Sequence, residues 1–149
     1  KKILDKFDYK NLLVKEYNDW YLLLRKEQVT LGSMVLIEKS FSTEYSGISS
    51  ESFSEFGDIV KELEDMLQGL FSYDKINYLM LMMLDDEVHY HIIPRYSKDV
   101  KYDDINFLDK GWPSLPDMTD VNKIEKTTYQ KLIKEMQKKF RSRLIERTT

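Results

Sequence analysis

The only two histidines of this 149-residue chain, His89 and His91, fall two positions apart within Asp85 to Tyr96, which reads Asp-Asp-Glu-Val-His-Tyr-His-Ile-Ile-Pro-Arg-Tyr. In a strand, successive side chains alternate faces, so Glu87, His89 and His91 would project together and Val88, Tyr90 and Ile92 the other way. Two imidazoles so placed lie roughly 6 to 7 Å apart, within reach of one substrate group. Three roles compete for such a pair. One imidazole can attack a phosphoryl centre and be released later by water, with neighbouring donors stabilising the oxyanion charge. Glu87, His89 and His91 can instead bind zinc or iron, since carboxylate and imidazole suit both. The third role is structural, a satisfied pair on the polar face of a sheet.

The elements that must position this segment are legible from hydrophobic spacing. Lys75 to Met83 is apolar on both alternating sets, which predicts a central strand covered on both faces, and Leu84 to Asp86 a tight acidic turn into the histidine strand. Pro94 should end that strand or force it to an edge. Upstream, Trp20 to Leu24 and Leu31 to Glu38 read as two strands of a hairpin, with Gly32 at a bend. Ser49 or Ser50 is suited to cap a helix in which Phe53, Phe56, Val60, Leu63, Leu67 and Leu70 recur at steps of three and four, giving one apolar stripe against a sheet. A second helix is expected from about Thr127 to Leu144, with Tyr129, Leu132, Ile133, Met136 and Phe140 on its apolar side. Lys98 to Val121, with two of the three prolines, reads as a rigid surface strap. The loose spacing of Lys1 to Asn18 fits either a short helix or an irregular arm. The fold class expected is α+β in a single domain: an antiparallel sheet of about five strands, a long helix on one face and a C-terminal helix.

Composition narrows the function classes. No apolar run approaches the roughly 18 residues of a membrane span, and the acids among the first eight residues argue against an export signal, so a cytoplasmic location and no membrane partner are expected. The absence of cysteine excludes disulfides, thiolate zinc sites and a cysteine nucleophile. The net charge of −3 hides an asymmetry: Val121 to Thr149 holds nine Lys or Arg against three Glu, which leaves the rest at about −9. A basic helix can meet nucleic acid, but the solvated face of an amphipathic helix is the simpler reading, and a nucleic-acid partner is not expected.

Residues 87 to 95, Glu-Val-His-Tyr-His-Ile-Ile-Pro-Arg, resemble the histidine triad family, whose signature alternates His and apolar residues over His-x-His-x-His-x-x and is often followed by Pro-Arg. Val29 to Lys39 is similar to that family's hairpin strand, the Ser49 to Leu70 helix sits where its long helix belongs, and Gly-Trp-Pro-Ser-Leu-Pro-Asp within Asp109 to Asp117 is similar to a segment of some bacterial branches. On this resemblance His89 falls on the middle histidine, the nucleophile that takes the nucleotidyl group, and His91 on the third. Glu87 falls on the first, and Phe41 stands about where many members carry a further histidine. A carboxylate beside a phosphate should repel it unless it is protonated, paired or turned away.

The resemblance implies a homodimer that binds a nucleotide, a purine by expectation, at the end of the sheet. It further implies hydrolysis or transfer at the α-phosphate of a nucleoside phosphoramidate or dinucleoside polyphosphate, with no cofactor or resident metal expected. His89 would be the nucleophile and His91 a phosphate ligand or proton donor. Glu87, Asn77 on the neighbouring strand and Arg95, on the same face if no bulge occurs at Pro94, are the candidate substrate-binding residues, and Tyr17, Trp20 and Tyr21 are candidates for a base pocket. The alternative is a nucleotide-binding protein of the same fold that has lost efficient catalysis.

Overall fold

The computed structural model describes the backbone of residues 2–148 and the side chains through Arg143. In chain order, α1 (Lys2–Lys6) and α2 (Tyr9–Leu12) form an N-terminal arm that runs into β1 (Leu13–Glu16). The hairpin expected from alternation follows as β2 (Trp20–Leu24), a two-residue β3 (Glu27–Gln28) and β4 (Met34–Glu38), with β2 and β4 antiparallel from Trp20 opposite Glu38 to Leu24 opposite Met34. Gly32, at φ 87°, makes the bend where a side chain would meet Phe71 and Leu67. The long helix α3 (Ser50–Phe71) starts at Ser49, whose side chain accepts a hydrogen bond from the Ser52 amide, as an N-cap should.

After α3 come β5 (Lys75–Leu79) and β6 (His89–Arg95), then β7 (Val100–Tyr102) and β8 (Ile105–Phe107) as a small ribbon, β9 (Asn122–Lys123) paired with β3, and α4 (Lys126–Thr148). The main sheet is five-stranded and antiparallel in the order β1-β2-β4-β6-β5. This is the expected α+β architecture.

One face of the sheet presents Trp20, Leu22, Leu24, Met34, Leu36, Tyr90 and Ile92, which pack with Ile59, Leu63, Met66 and Leu67 of α3 and with Leu132, Ile133 and Met136 of α4. The apolar side of α4 is therefore as its spacing predicts, and α4 packs on α3 and β1. Its basic character continues beyond the described side chains, since residues 144–149, Arg147 among them, lie outside that set. The opposite face carries Leu23, Val35 and Ile37, covered by Ile3 and, around them, Leu4, Phe7 and Tyr9 of the arm.

Three expectations are corrected. Lys75 to Met83 is not a central strand: only Lys75–Leu79 is a strand, it is half-buried, and it closes the sheet at one edge. Its apolar run exceeds its burial, and Leu81, Met83 and Leu84 are exposed in a connection much longer than a tight turn. Pro94 does not end β6, which runs on to Arg95. Pairing with β4 stops at Ile92, so the missing amide costs no ladder bond on that side. The stripe of α3 is rotated from the one read by spacing, because Ile59 and Met66 are buried while Phe53 is 42% exposed.

Candidate functional site

Register puts the histidines in the middle of the arm-covered face. His89 lies opposite Ile37 and His91 opposite Val35, so both imidazoles share the side of Leu23, Val35 and Ile37, away from α3. Both are buried. Their ring centroids are 5.0 Å apart with the planes nearly perpendicular, and the Phe7 ring packs against both at 6.0 and 5.9 Å.

The two rings meet opposite chemistry at Nδ1. His89 Nδ1 is 2.6 Å from the Glu87 carbonyl oxygen, an acceptor only, so Nδ1 carries a proton and the neutral form of the ring has its lone pair on Nε2. His91 Nδ1 is 2.6 Å from Arg25 NH1, a donor only, so this Nδ1 is the acceptor and the proton sits on Nε2. Burial pushes the His91 pKa down to about 3, with the Arg25 charge and His89 adding to the effect. His91 is accordingly a neutral imidazole at neutral pH and presents an N–H. A neutral ring that presents an N–H can donate a hydrogen bond to an oxygen without titrating.

A cavity of about 490 Å³ opens in front of the pair, within the range of small-molecule sites. Besides the histidines it is bounded by Lys6 and Phe7 of the arm, Arg25 and Glu27 beyond β2, the Leu81 to Asp85 connection, and Met118. Lys6 Nζ pairs with Asp85 at 2.5 Å across this space and so ties the arm to the loop that precedes β6. Arg25 is half-buried, its Nε–H reaches the Glu27 carbonyl at 3.3 Å, and burial lowers its pKa while Glu27 works in the opposite direction.

The other residues singled out in the sequence lie elsewhere. Glu87 precedes β6 and does not extend the histidine face. It is half-buried, it meets His89 through its carbonyl, and it is not among the residues bounding the cavity. Among the described residues no three His, Cys, Asp or Glu side chains gather as a metal site would require, which leaves the Glu87, His89, His91 metal reading without a ligand set.

Arg95 does share the histidine face, with no bulge at Pro94, but it sits at the far end of β6. There its guanidinium makes a bidentate pair with Asp109, at 2.7 and 3.1 Å, and donates to Asn77 Oδ1 at 2.8 Å. Arg95 and Asn77 border a separate cleft between β5 and the Trp112 to Pro116 strap. Trp20 is buried on the α3 side, where its indole N–H donates to the Ser52 carbonyl, and the Tyr17 hydroxyl donates to Glu62. Tyr21 is on the arm side, edge-on to Tyr9, and Phe41 packs on the same apolar cluster. None of these four aromatics bounds the cavity.

Arg25, Lys6, Phe7 and Asp85 escape a reading of the sequence that starts from the histidines. For Arg25 a signal exists: it follows Leu23 by two positions, so alternation one step beyond β2 carries it onto the histidine face, and its amide still donates to the Ser33 carbonyl. Nothing in the spacing of the first eighteen residues marks Lys6 or Phe7.

No protein-family model matches the chain, and no curated protein does. Solved structures do. A histidine triad protein from Sinorhizobium meliloti 1021 superposes with a TM-score of 0.74 at 11% identity, covering 93% of this chain and 94% of the other. A histidine triad protein from Marinobacter aquaeolei VT8 gives 0.73 at 16% identity with the same coverage. A hypothetical histidine triad nucleotide-binding protein from Sulfolobus tokodaii strain 7 gives 0.69 at 19% identity, covering 93% and 89%. At these identities the likeness establishes the fold, which is the one shared by histidine triad proteins.

Proposed function

We propose that this chain binds a nucleotide in the cavity before His89 and His91 and acts on its α-phosphate as a hydrolase or nucleotidyl transferase. The observation that carries the reading is the state of His89: with its Nδ1 proton given to the Glu87 carbonyl, the Nε2 lone pair is available as a nucleophile in a water-poor site. In the first step Nε2 forms a bond to the α-phosphorus, the bond from that phosphorus to the leaving group breaks, and the leaving group departs with the electron pair, a polyphosphate as its anion and an amine with a proton taken from solvent. In the second step water attacks the phosphorus, the P–N bond breaks, the electron pair returns to Nε2, and the proton of water passes to solvent. His91 donates its Nε2–H to a phosphoryl oxygen throughout and need not titrate. Asn77 and Arg95, held by Asp109, serve as a structural clamp between the sheet edge and the strap.

The same reading carries a purine base, a phosphoramidate or polyphosphate leaving group, a single domain and a cytoplasmic location. It also carries a homodimer, for which β5 offers an edge that a second copy can extend. No described helix is long and apolar enough to cross a membrane. A second reading, nucleotide binding with little turnover, draws support from Phe7, whose ring lies against both imidazoles.

Turnover of adenylyl phosphoramidates and dinucleoside polyphosphates by the parent and by His89→Ala decides between them. Loss of turnover in the variant, with a nucleotidylated parent visible by mass spectrometry after rapid acid quench, is expected. Equal turnover by the two proteins refutes the nucleophile, and equal affinity with no turnover in either favours the binding protein.

A further inference from the structure

Resting on that nucleotide reading, we infer that Arg25 is a phosphate ligand of the site, its guanidinium fork holding nonbridging phosphoryl oxygens past the Nδ1 edge of His91. A guanidinium has five N–H donors in a rigid plane. One goes to the Glu27 carbonyl and one to His91 Nδ1. The remaining three have no protein partner among the described residues.

Both acceptors that Arg25 does have are neutral, and its guanidinium also lies over the Phe7 ring, 6.0 Å from the centroid, so among the described residues no carboxylate compensates its charge by contact. Among the described residues its guanidinium enters no ion pair. Two carboxylates border the same cavity. Asp85 is taken by Lys6, and Glu27 is exposed and acts on Arg25 only at longer range. Arg95 shows the contrast within this molecule, because its buried guanidinium is matched by both oxygens of Asp109. A half-buried cation with spare donors, facing a cavity and lacking a counter-ion, is a site for an anion, and the planar fork matches a phosphate in two-point contact.

Position gives the anion its role. Arg25 touches His91, whose ring is 5.0 Å from that of His89. The two nitrogens of an imidazole face opposite edges of the ring, so the Arg25 fork serves phosphoryl oxygens at the Nδ1 edge of His91 while the Nε2–H serves others, and charge on them is stabilised without any proton transfer. The residue at the first triad position cannot do this, since Glu87 brings only a carbonyl to the histidines.

The test measures binding of adenosine 5′-monophosphate and of adenosine by calorimetry, and turnover of the best substrate in the panel, for the parent, Arg25→Met and Arg25→Lys. The parent should prefer the monophosphate. Arg25→Met should lose most of that preference with adenosine affinity kept, and its kcat/KM should fall about 10²- to 10³-fold, the usual effect of removing an oxyanion donor. Millimolar guanidinium should restore part of the rate to this variant and none to the parent. A parent-like phosphate preference in Arg25→Met overturns the assignment and leaves the nucleotide reading standing. A parent that binds neither ligand overturns the nucleotide reading and the assignment with it. If Arg25→Met melts as a misfolded protein, Arg25→Lys decides: it keeps the charge without the fork, so kcat/KM should fall at least about tenfold, and an unchanged value overturns the assignment.

Discussion

Acidification tests the electrostatics of the histidine face without altering a single atom of its packing. Burial, then the charge of Arg25, then His89 hold the His91 pKa near about 3, against 6.5 for an unperturbed imidazole. Between those values the unfolded chain binds a proton at this position and the folded chain does not, so stability falls as pH drops below about 6.5 and stops falling, for this group, near 3. The limiting slope for one proton is about 1.4 kcal/mol per pH unit, and from pH 6.5 to 4.5 the integrated loss is about 2 kcal/mol. The carboxylates held low by their partners, Asp74, Asp117 and Glu16, lose their contribution only as pH falls through the acid range beneath this window. Urea midpoints at pH 6.5, 5.5 and 4.5 for the parent and for His91→Gln isolate the effect: the parent should lose about 2 kcal/mol more than the variant over that span. Parallel curves for the two proteins would falsify the account of a buried, neutral His91. Arg25→Met should reduce the difference, because the second cause of the depression is gone.

Arg95→Met strips the counter-charge from Asp109 at a place where the two side chains are 5% and 2% exposed, so a loss of about 3–5 kcal/mol is expected. At about 2–4 °C per kcal/mol for a chain of this size, the melting temperature should drop by about 6–20 °C. KM for the nucleotide, measured well below that melt, should stay within about twofold, whereas a higher KM with an unchanged melt would identify Arg95 as a ligand instead of a clamp. Glu87→Gln keeps the carbonyl that orients His89 and removes only a carboxylate outside the cavity, so kcat/KM should change less than about threefold; a loss near that of His89→Ala would mean that the carboxylate itself takes part.

What could be read from the sequence divides along physical lines. The β2 and β4 hairpin, the two long helices and the shared face of His89 and His91 follow from periodicity, which reports which side of an element meets the core. Periodicity does not report the order of strands. The apolar run around Lys75 to Met83 therefore looks like the middle of a sheet, although β5 is its edge and the surplus, Leu81 to Leu84, walls the cavity instead. It also assumes that a strand begins where its pattern begins. β6 starts at His89, so the alternation that would align Glu87 with the histidines has not yet started. Arg95 satisfies the alternation rule and still lies out of reach, since a face shared over seven residues is longer than a site. Long-range partners such as Lys6 with Asp85 are set by tertiary packing, and local spacing carries no trace of them; for Arg25 alternation gives the face, and the pairing with His91 comes from the order of the strands.

Two identical side chains on one strand thus acquire different chemistry from what each Nδ1 meets. His89 stands at the start of β6, where the incoming chain turns its Glu87 carbonyl back onto the ring, and a carbonyl can only accept. His91 stands two residues on, level with the end of β2, where Arg25 arrives and a guanidinium can only donate. In its neutral form the first ring is consequently left with a bare Nε2 and the second with an Nε2–H, both on residues that border the cavity. Neither ring can take the other's part without exchanging Nδ1 partners, and those partners are fixed by backbone register on one side and by the length of β2 on the other. Order along the strand therefore decides which nitrogen of each ring carries the proton, and the Glu87 side chain takes no part in it, since only its backbone carbonyl meets His89.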